Sequence, residues 1–171
     1  MIKIIKVATN QTGILSKIGR ETFMDTYVES APKKEIKNYL LSTFNKETVT
    51  YELENPLNNY HFIFYNDTLA GYSNINFNKP YASITEKNTT YLSRLYILKE
   101  FHSVGLGKEL FNFNIGLAKQ NSQKGMCLAV WTENQKAIHF YTKIGFQKIG
   151  EFDYKISENH ANPNYMMHLK F

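Results

Sequence analysis

Residues 89–109 read TTYLSRLYILKEFHSVGLGKE, and this stretch decides the fold class. Residues 89–98 are rich in β-branched and aromatic side chains, which favours a central strand. Gly105 and Gly107 then mark a tight turn, and apolar residues recur at helical spacing from 106 to 117. A strand that passes through a glycine turn into a helix is typical of α/β domains.

The flanking sequence extends this unit to a mixed α/β domain. Period-two and fully apolar runs predict strands over residues 2–8, 61–65, 69–77, 126–131, 146–156 and 164–171. Helical periodicity predicts helices over residues 11–27, 32–44, 47–54 and 134–144, the last ended by Gly145. No repeat or linker interrupts this order. We therefore expect a single domain over residues 1–171.

Composition excludes several classes of function. The 171 residues carry a net charge of +5 and contain one cysteine, so a disulfide framework and a cysteine-rich zinc site are excluded. The five histidines show no spacing typical of metal ligands, so we expect no metal. Lysines are scattered rather than clustered, which argues against nucleic acid. Without an apolar run long enough for a membrane span or a signal peptide, we expect no membrane association and a cytoplasmic protein.

The glycine turn offers a site for an anion. Two glycines let backbone N–H groups approach a ligand, the following helix presents its positive end, and Lys108 adds a cation. The alternative is a plain tight turn between a strand and a helix. A P-loop would need glycine at 102 and Ser or Thr at 109, which are His102 and Glu109. A dinucleotide fingerprint would need glycine at 110, which is Leu110.

The segment HSVGLG (102–107) resembles the acyl-CoA loop of the GNAT N-acetyltransferases, whose pattern is Gln or Arg, two residues, Gly, one residue, then Gly or Ala. His102 departs from it at the first position. The segment VWTENQKAIHFYTKIGF (130–146) is similar to the second half of the GNAT site. The resemblance implies an α/β fold with a mostly antiparallel twisted sheet, flanking helices and two splayed central strands that form a wedge for acetyl-CoA.

The resemblance also implies which residues bind the co-substrate. Backbone groups of the central strand would contact the acetyl-pantetheine arm, and the loop would hold the pyrophosphate. The implied cofactor-binding residues are Tyr96, Ile97, Leu98, His102, Ser103, Val104, Gly105, Leu106, Gly107, Lys108, Asn134 and Lys143. Asn134 also stands where a helix N-cap belongs, and Lys143 could equally face water.

Tyr141 is the predicted catalytic residue. When an amine attacks the thioester directly, the CoA thiolate leaves and needs a proton, which a phenol held in a dry site can donate. The alternative is a half-buried tyrosine that only packs one helix face. Cys127 lies in an apolar strand and is interpreted as an inert core thiol.

Most of the chain is similar to the PaiA-type polyamine acetyltransferases, notably ETFMDTYVES (21–30), AGYSNIN (70–76) and 95–108. This implies a small primary amine, spermidine or spermine, as acceptor. The carboxylates that could bind it are Asp25, Glu29, Glu35 and Glu86, and the alternative for each is an ordinary surface charge. Ser93 stands where these relatives place an acid. Two alternative functions stay open: acetylation of a protein or peptide, and a non-catalytic regulator that binds acyl-CoA. The oligomeric state, monomer or homodimer, also stays open.

Overall fold

The computed structural model describes all 171 residues and contains seven strands and five α-helices. The strands are β1 (Ile2–Lys6), β2 (Asn59–Tyr65), β3 (Thr68–Asn76), β4 (Thr89–Ile97), β5 (Gly125–Trp131), β6 (Gln147–Lys155) and β7 (Ala161–Lys170). The helices are α1 (Thr12–Tyr27), α2 (Lys33–Thr43), α3 (Lys46–Glu54), α4 (Leu106–Gln120) and α5 (Gln135–Ile144).

All seven strands form one sheet in the order β1-β2-β3-β4-β5-β7-β6. Every neighbouring pair is antiparallel except β4 and β5, which are parallel. A parallel connection needs a long crossover, and α4 provides it between β4 and β5. The predicted mostly antiparallel α/β fold is therefore confirmed.

Helices cover both faces of the sheet because each face presents a separate apolar surface. On one face, Leu15 and Ile18 of α1 and Val49 of α3 pack with Phe62 and Tyr72. On the other face, α4 and α5 pack over the sheet, with Phe111 of α4 and Tyr141 of α5 in one cluster. The sheet is thus the middle of three layers, and side chains that alternate along a strand reach opposite layers.

The predicted elements agree with the observed ones except in detail. The central strand ends at Ile97, and a single 3-10 turn over Lys99–Phe101 separates it from the glycine loop. The last strand begins at Ala161, three residues earlier than predicted. Pro163 is accommodated within it because extended backbone suits proline, and its carbonyl still accepts a hydrogen bond from Thr132 N–H at 3.0 Å. No helix has both the length and the apolar character needed to cross a bilayer.

Candidate active site

The parallel strands β4 and β5 separate part-way along their length. Their pairing runs from Thr89 opposite Gly125 to Leu92 opposite Leu128 and then stops. Beyond it, β5 continues to pair with β7 as far as Trp131, and β4 continues to pair with β3. The two strands therefore open a wedge in the middle of the sheet.

The backbone of β4 leaves polar groups free inside this wedge. Leu98 N–H donates to the Ala70 carbonyl on the β3 side at 2.8 Å. Because successive residues of a strand direct their backbone groups to opposite neighbours, Leu95 and Ile97 direct theirs toward the wedge. The Ile97 carbonyl confirms this direction, since it accepts a hydrogen bond from the His102 ring rather than from β3. The N–H groups of Leu95 and Ile97 are thus donors available to a ligand.

The loop after β4 is shaped for an anion. Ser103 and Gly105 have left-handed backbone, with φ values of 73° and 83°, and α4 begins directly after them. A Cβ added at Gly105 would meet no protein atom within 4 Å, and one at Gly107 would come no closer than 3.8 Å to Ile97. The missing side chains therefore leave space for a ligand and not for protein packing. The N–H groups of Leu106 and Gly107, which begin α4, have no protein acceptor and are available to a ligand there, whereas those of Lys108 and Glu109 bond the Gly105 carbonyl.

A cleft of about 710 Å³ joins the wedge to the loop. The predicted site residues that line it are Ile97, His102, Ser103, Gly105, Leu106, Gly107, Lys108, Asn134 and Tyr141. Lys99 and Lys136 also line it, and neither they nor Lys108 form an ion pair with a carboxylate. The three lysines outnumber the two carboxylates of the lining, Asp25 and Glu133, and with the N-terminus of α4 they favour an anion at the loop.

Helix α5 forms the opposite wall of the cleft. Asn134 is its N-cap, because the Asn134 Oδ1 accepts a hydrogen bond from Ala137 N–H at 3.1 Å. The Asn134 amide nitrogen has no protein acceptor, and Asn134 is one of the residues that line the cleft. The predicted cap and the predicted ligand role are therefore compatible, since they use different atoms of one side chain.

Tyr141 lies on α5 where the cleft meets the core. Its side chain is 8% exposed and packs against three rings, with centroid distances of 5.3 Å to Phe140, 5.4 Å to Phe146 and 6.3 Å to Phe111. No protein group hydrogen-bonds its hydroxyl. Burial raises the pKa of Tyr141 above its ordinary value of 10. The phenol therefore stays neutral and keeps its proton available to a ligand in the cleft.

Four predicted cofactor-binding residues lie outside the lining of the cleft: Tyr96, Leu98, Val104 and Lys143. The Tyr96 side chain lies on the α1 face, with its ring 5.8 Å from that of Tyr72. The backbone of Leu98 is used in pairing with the β3 side. Lys143 is exposed on α5, seven residues and about 10 Å along the helix axis from Lys136.

Other lining residues had no motif to identify them. These are chiefly Lys136, in the first turn of α5, and Trp131, at the end of β5. The only sequence feature that could have identified Lys136 is its position, two residues after the Asn134 cap. Cys127 is fully buried on β5, and burial raises the pKa of its thiol to about 11, so it stays protonated.

A second cavity of about 500 Å³ adjoins the cleft on the α1 side, and Asp25 lines both. Its other charged residues are Glu21, Glu100 and Lys17. Of the remaining predicted carboxylates, Glu35 accepts a hydrogen bond from Ser157 Oγ at 2.6 Å, and Glu29 and Glu86 are exposed away from both cavities. Asp25 is thus the one predicted carboxylate at the cleft.

Known proteins share the segments that form this site. The model of the acetyltransferase (GNAT) family matches residues 20–146, which include the wedge, the glycine loop and α5 up to Gly145. The chain belongs to the GNAT family. It is accordingly an acetyl-CoA-dependent N-acetyltransferase, as the HSVGLG loop and the α5 segment predicted.

Individual relatives agree with this family. An uncharacterized N-acetyltransferase of Lactobacillus delbrueckii subsp. lactis is 26% identical over 158 residues, 92% of this chain and 91% of that protein. The spermine/spermidine N(1)-acetyltransferase of Bacillus subtilis is 28% identical over 93 residues, which are 54% of this chain and 61% of the relative. The crystal structure of the PaiA N-acetyltransferase of Thermoplasma acidophilum in complex with coenzyme A superposes with a TM-score of 0.79 at 21% identity, covering 100% of this chain and 99% of that one.

The residues of this chain suit acetyl-CoA as the donor. Its pyrophosphate would find the space left by Gly105 and Gly107, the N-terminus of α4 and the cations. Its pantetheine amides would find the free N–H groups of the wedge strand and the Asn134 amide, since the Ile97 carbonyl is already bonded to His102. When bound, acetyl-CoA supplies an activated acetyl group as a thioester.

Proposed function

We propose that this GNAT enzyme acetylates a primary amine of a polyamine, spermidine or spermine, or of another small diamine. The observation that carries the proposal is the carboxylate-lined cavity beside the cleft. Asp25 lies on both cavities, and Glu21 and Glu100 line the outer one. Similarity to the Bacillus subtilis spermine/spermidine N(1)-acetyltransferase supports the same substrate class.

The two cavities suit an acceptor with two separated amines. Amines of this type have a pKa near 10.4, so they reach the protein as ammonium ions. Asp25, Glu21 and Glu100 outnumber the single lysine, Lys17, in the outer cavity, so the local charge favours a cation although the whole chain is positive. One ammonium can rest there while another amine, once deprotonated, faces the wedge.

Residues of the wedge then carry the chemistry. One of the two free N–H groups, on Leu95 or Ile97, hydrogen-bonds the thioester carbonyl oxygen, whose negative charge grows as the amine attacks, and the other, about 7 Å along the strand, is left for the pantetheine arm. The neutral Tyr141 hydroxyl donates a proton to the sulfur as the C–S bond breaks, and the proton that the attacking nitrogen loses restores the phenol through solvent. The amine attacks the acetyl carbon directly, and Cys127 is excluded as an acyl carrier because it is buried and protonated.

Thiol release from acetyl-CoA tests the substrate class. The acceptors compared are spermidine, spermine, putrescine and a lysine-bearing peptide. We expect turnover on the polyamines, and we expect the Asp25→Asn variant to raise KM for them while leaving KM for acetyl-CoA unchanged. Glu29→Gln is the matched control, because Glu29 is exposed on the segment after α1 and lines neither cavity.

The competing functions predict different results. Turnover on the peptide alone would refute the polyamine proposal and favour protein acetylation. Tight binding of coenzyme A without turnover on any amine would favour a regulator that binds acyl-CoA. An unchanged KM for every amine in the Asp25→Asn variant would show that Asp25 does not bind the ammonium group of the acceptor.

A further inference from the structure

His102 contacts both walls of the cofactor cleft. Its Nε2 lies 2.9 Å from the Ile97 carbonyl oxygen, and its Nδ1 lies 3.4 Å from Nζ of Lys136. A carbonyl oxygen only accepts hydrogen bonds, so Nε2 carries the proton. Nδ1 of the neutral ring is then an acceptor, and the Lys136 ammonium is its donor.

These contacts cross the mouth of the wedge. Ile97 and His102 belong to the β4 side, whereas Lys136 is the second residue of α5 on the other side. His102, Ile97 and Lys136 all line the cleft. The side chain of His102 therefore links the end of β4 to a cation on the opposite wall, at the place where the phosphates of a ligand would enter.

We propose that His102 is a positioning residue that holds Lys136 over the glycine loop, and that Lys136 binds a phosphate group of coenzyme A. Lys136 forms no ion pair with the protein, so its charge is available to an anion. A free lysine side chain is flexible and loses conformational entropy when it binds a ligand. Because Nδ1 of His102 already restricts the Lys136 side chain, less of this entropy is lost on binding. This inference depends on the use of acetyl-CoA and not on the identity of the acceptor amine.

The chemistry of the contact defines the informative substitutions. Glutamine offers both an N–H donor for the Ile97 carbonyl and an oxygen acceptor for Lys136, so His102→Gln can preserve both contacts. Leucine has similar bulk and offers neither, so His102→Leu removes them. Lys136→Gln removes the charge itself. Lys34→Gln, an exposed lysine on α2 away from the cleft, is the charge-matched control.

Calorimetric binding of coenzyme A, with no amine present, tests the inference. We expect Lys136→Gln to weaken binding about tenfold and His102→Leu about three- to tenfold, with His102→Gln and Lys34→Gln within about twofold of the unsubstituted protein. Because His102 acts through Lys136, the affinity of the double variant for coenzyme A should lie within about twofold of that of Lys136→Gln alone. The thermal midpoint of each variant checks that it is folded.

Two results would overturn the inference. Pantetheine lacks the phosphates of coenzyme A, so equal losses in competition assays with pantetheine would show that the residues act on the arm or on the fold. Fully additive effects of His102→Leu and Lys136→Gln would show that the two side chains act independently. A protein that fails to acetylate polyamines but still binds coenzyme A leaves this test intact, so the two proposals fail separately.

Discussion

Replacing Glu52 by glutamine should destabilise the protein strongly, because it leaves the Arg94 charge without a partner. Arg94 donates to Glu52 through both terminal nitrogens, at 2.8 and 3.1 Å, and Tyr60 O–H donates to the same carboxylate at 2.6 Å. The Arg94 guanidinium also lies between the rings of Phe44 and Tyr60, at 5.1 and 5.7 Å. This network attaches α3 to the strand that forms the wedge.

The magnitude follows from how little water reaches the pair. Removing one partner of a fully buried ion pair costs about 3–5 kcal/mol, whereas an exposed pair is worth at most about 1 kcal/mol. The Arg94 and Glu52 side chains are 16% and 25% exposed, close to the buried limit. We therefore expect Glu52→Gln to lower the free energy of unfolding by about 2–4 kcal/mol. For a chain of this length, that corresponds to a fall in Tm of roughly 4–16 °C.

Urea unfolding followed by fluorescence measures this change. Glu54→Gln, on the exposed side of the same helix, is the control and should change stability by less than about 0.5 kcal/mol. The triple variant Glu52→Leu/Arg94→Met/Tyr60→Phe removes every polar member together and should recover most of the loss. A change below about 1 kcal/mol for Glu52→Gln would refute the reasoning, because the pair would then behave as a solvated one.

Three further predictions concern the site and the pH dependence of stability. Tyr141→Phe should lower kcat about 10²–10⁴-fold in the thiol-release assay while coenzyme A binding by calorimetry stays unchanged, since only the proton donor is lost. Gly105→Ala should lower the free energy of unfolding by about 1–2 kcal/mol in urea and weaken coenzyme A binding, because its φ of 83° is strained for any residue with a Cβ. Burial lowers the pKa of His61 and His168, so the unfolded chain takes up protons first as pH falls. Their contribution to stability is fully present above about pH 6.5 and is lost as the pH falls through the lowered values of the folded state, which urea titrations across this range measure.

Two of these predictions have a matched control variant. Gly116→Ala, within α4, has room for a Cβ and an ordinary helical backbone, and should stabilise the protein by about 0.5–1 kcal/mol. The double variant His61→Gln/His168→Gln should have a flatter stability profile below about pH 6.5. An unchanged kcat in Tyr141→Phe would show that Tyr141 only packs and donates no proton. Equal changes in stability for Gly105→Ala and Gly116→Ala would show that the positive φ of Gly105 does not strain a residue with a Cβ.

Local features of the site could be predicted from the sequence because short-range interactions decide them. Asn134 caps α5 and Gly145, with φ of 113°, ends it, and both roles depend only on residues within one helical turn. The turn at Gly105 is decided in the same way, by the backbone freedom of one residue. The GNAT family followed from these segments, and residues 20–146 confirm it.

The elements, their order, the glycine turn and the family could therefore be predicted without a structure. The groups that meet across the sheet could not, because those contacts join residues far apart in the chain. Because β4–β5 pairing ends at Leu92, the free backbone N–H belongs to Ile97 and not to Tyr96 or Leu98, and this depends on strand register. The carboxylate partner of Arg94 is Glu52 from α3, 42 residues away in the chain. The contact between His102 and Lys136 likewise forms only when the two walls of the wedge come together.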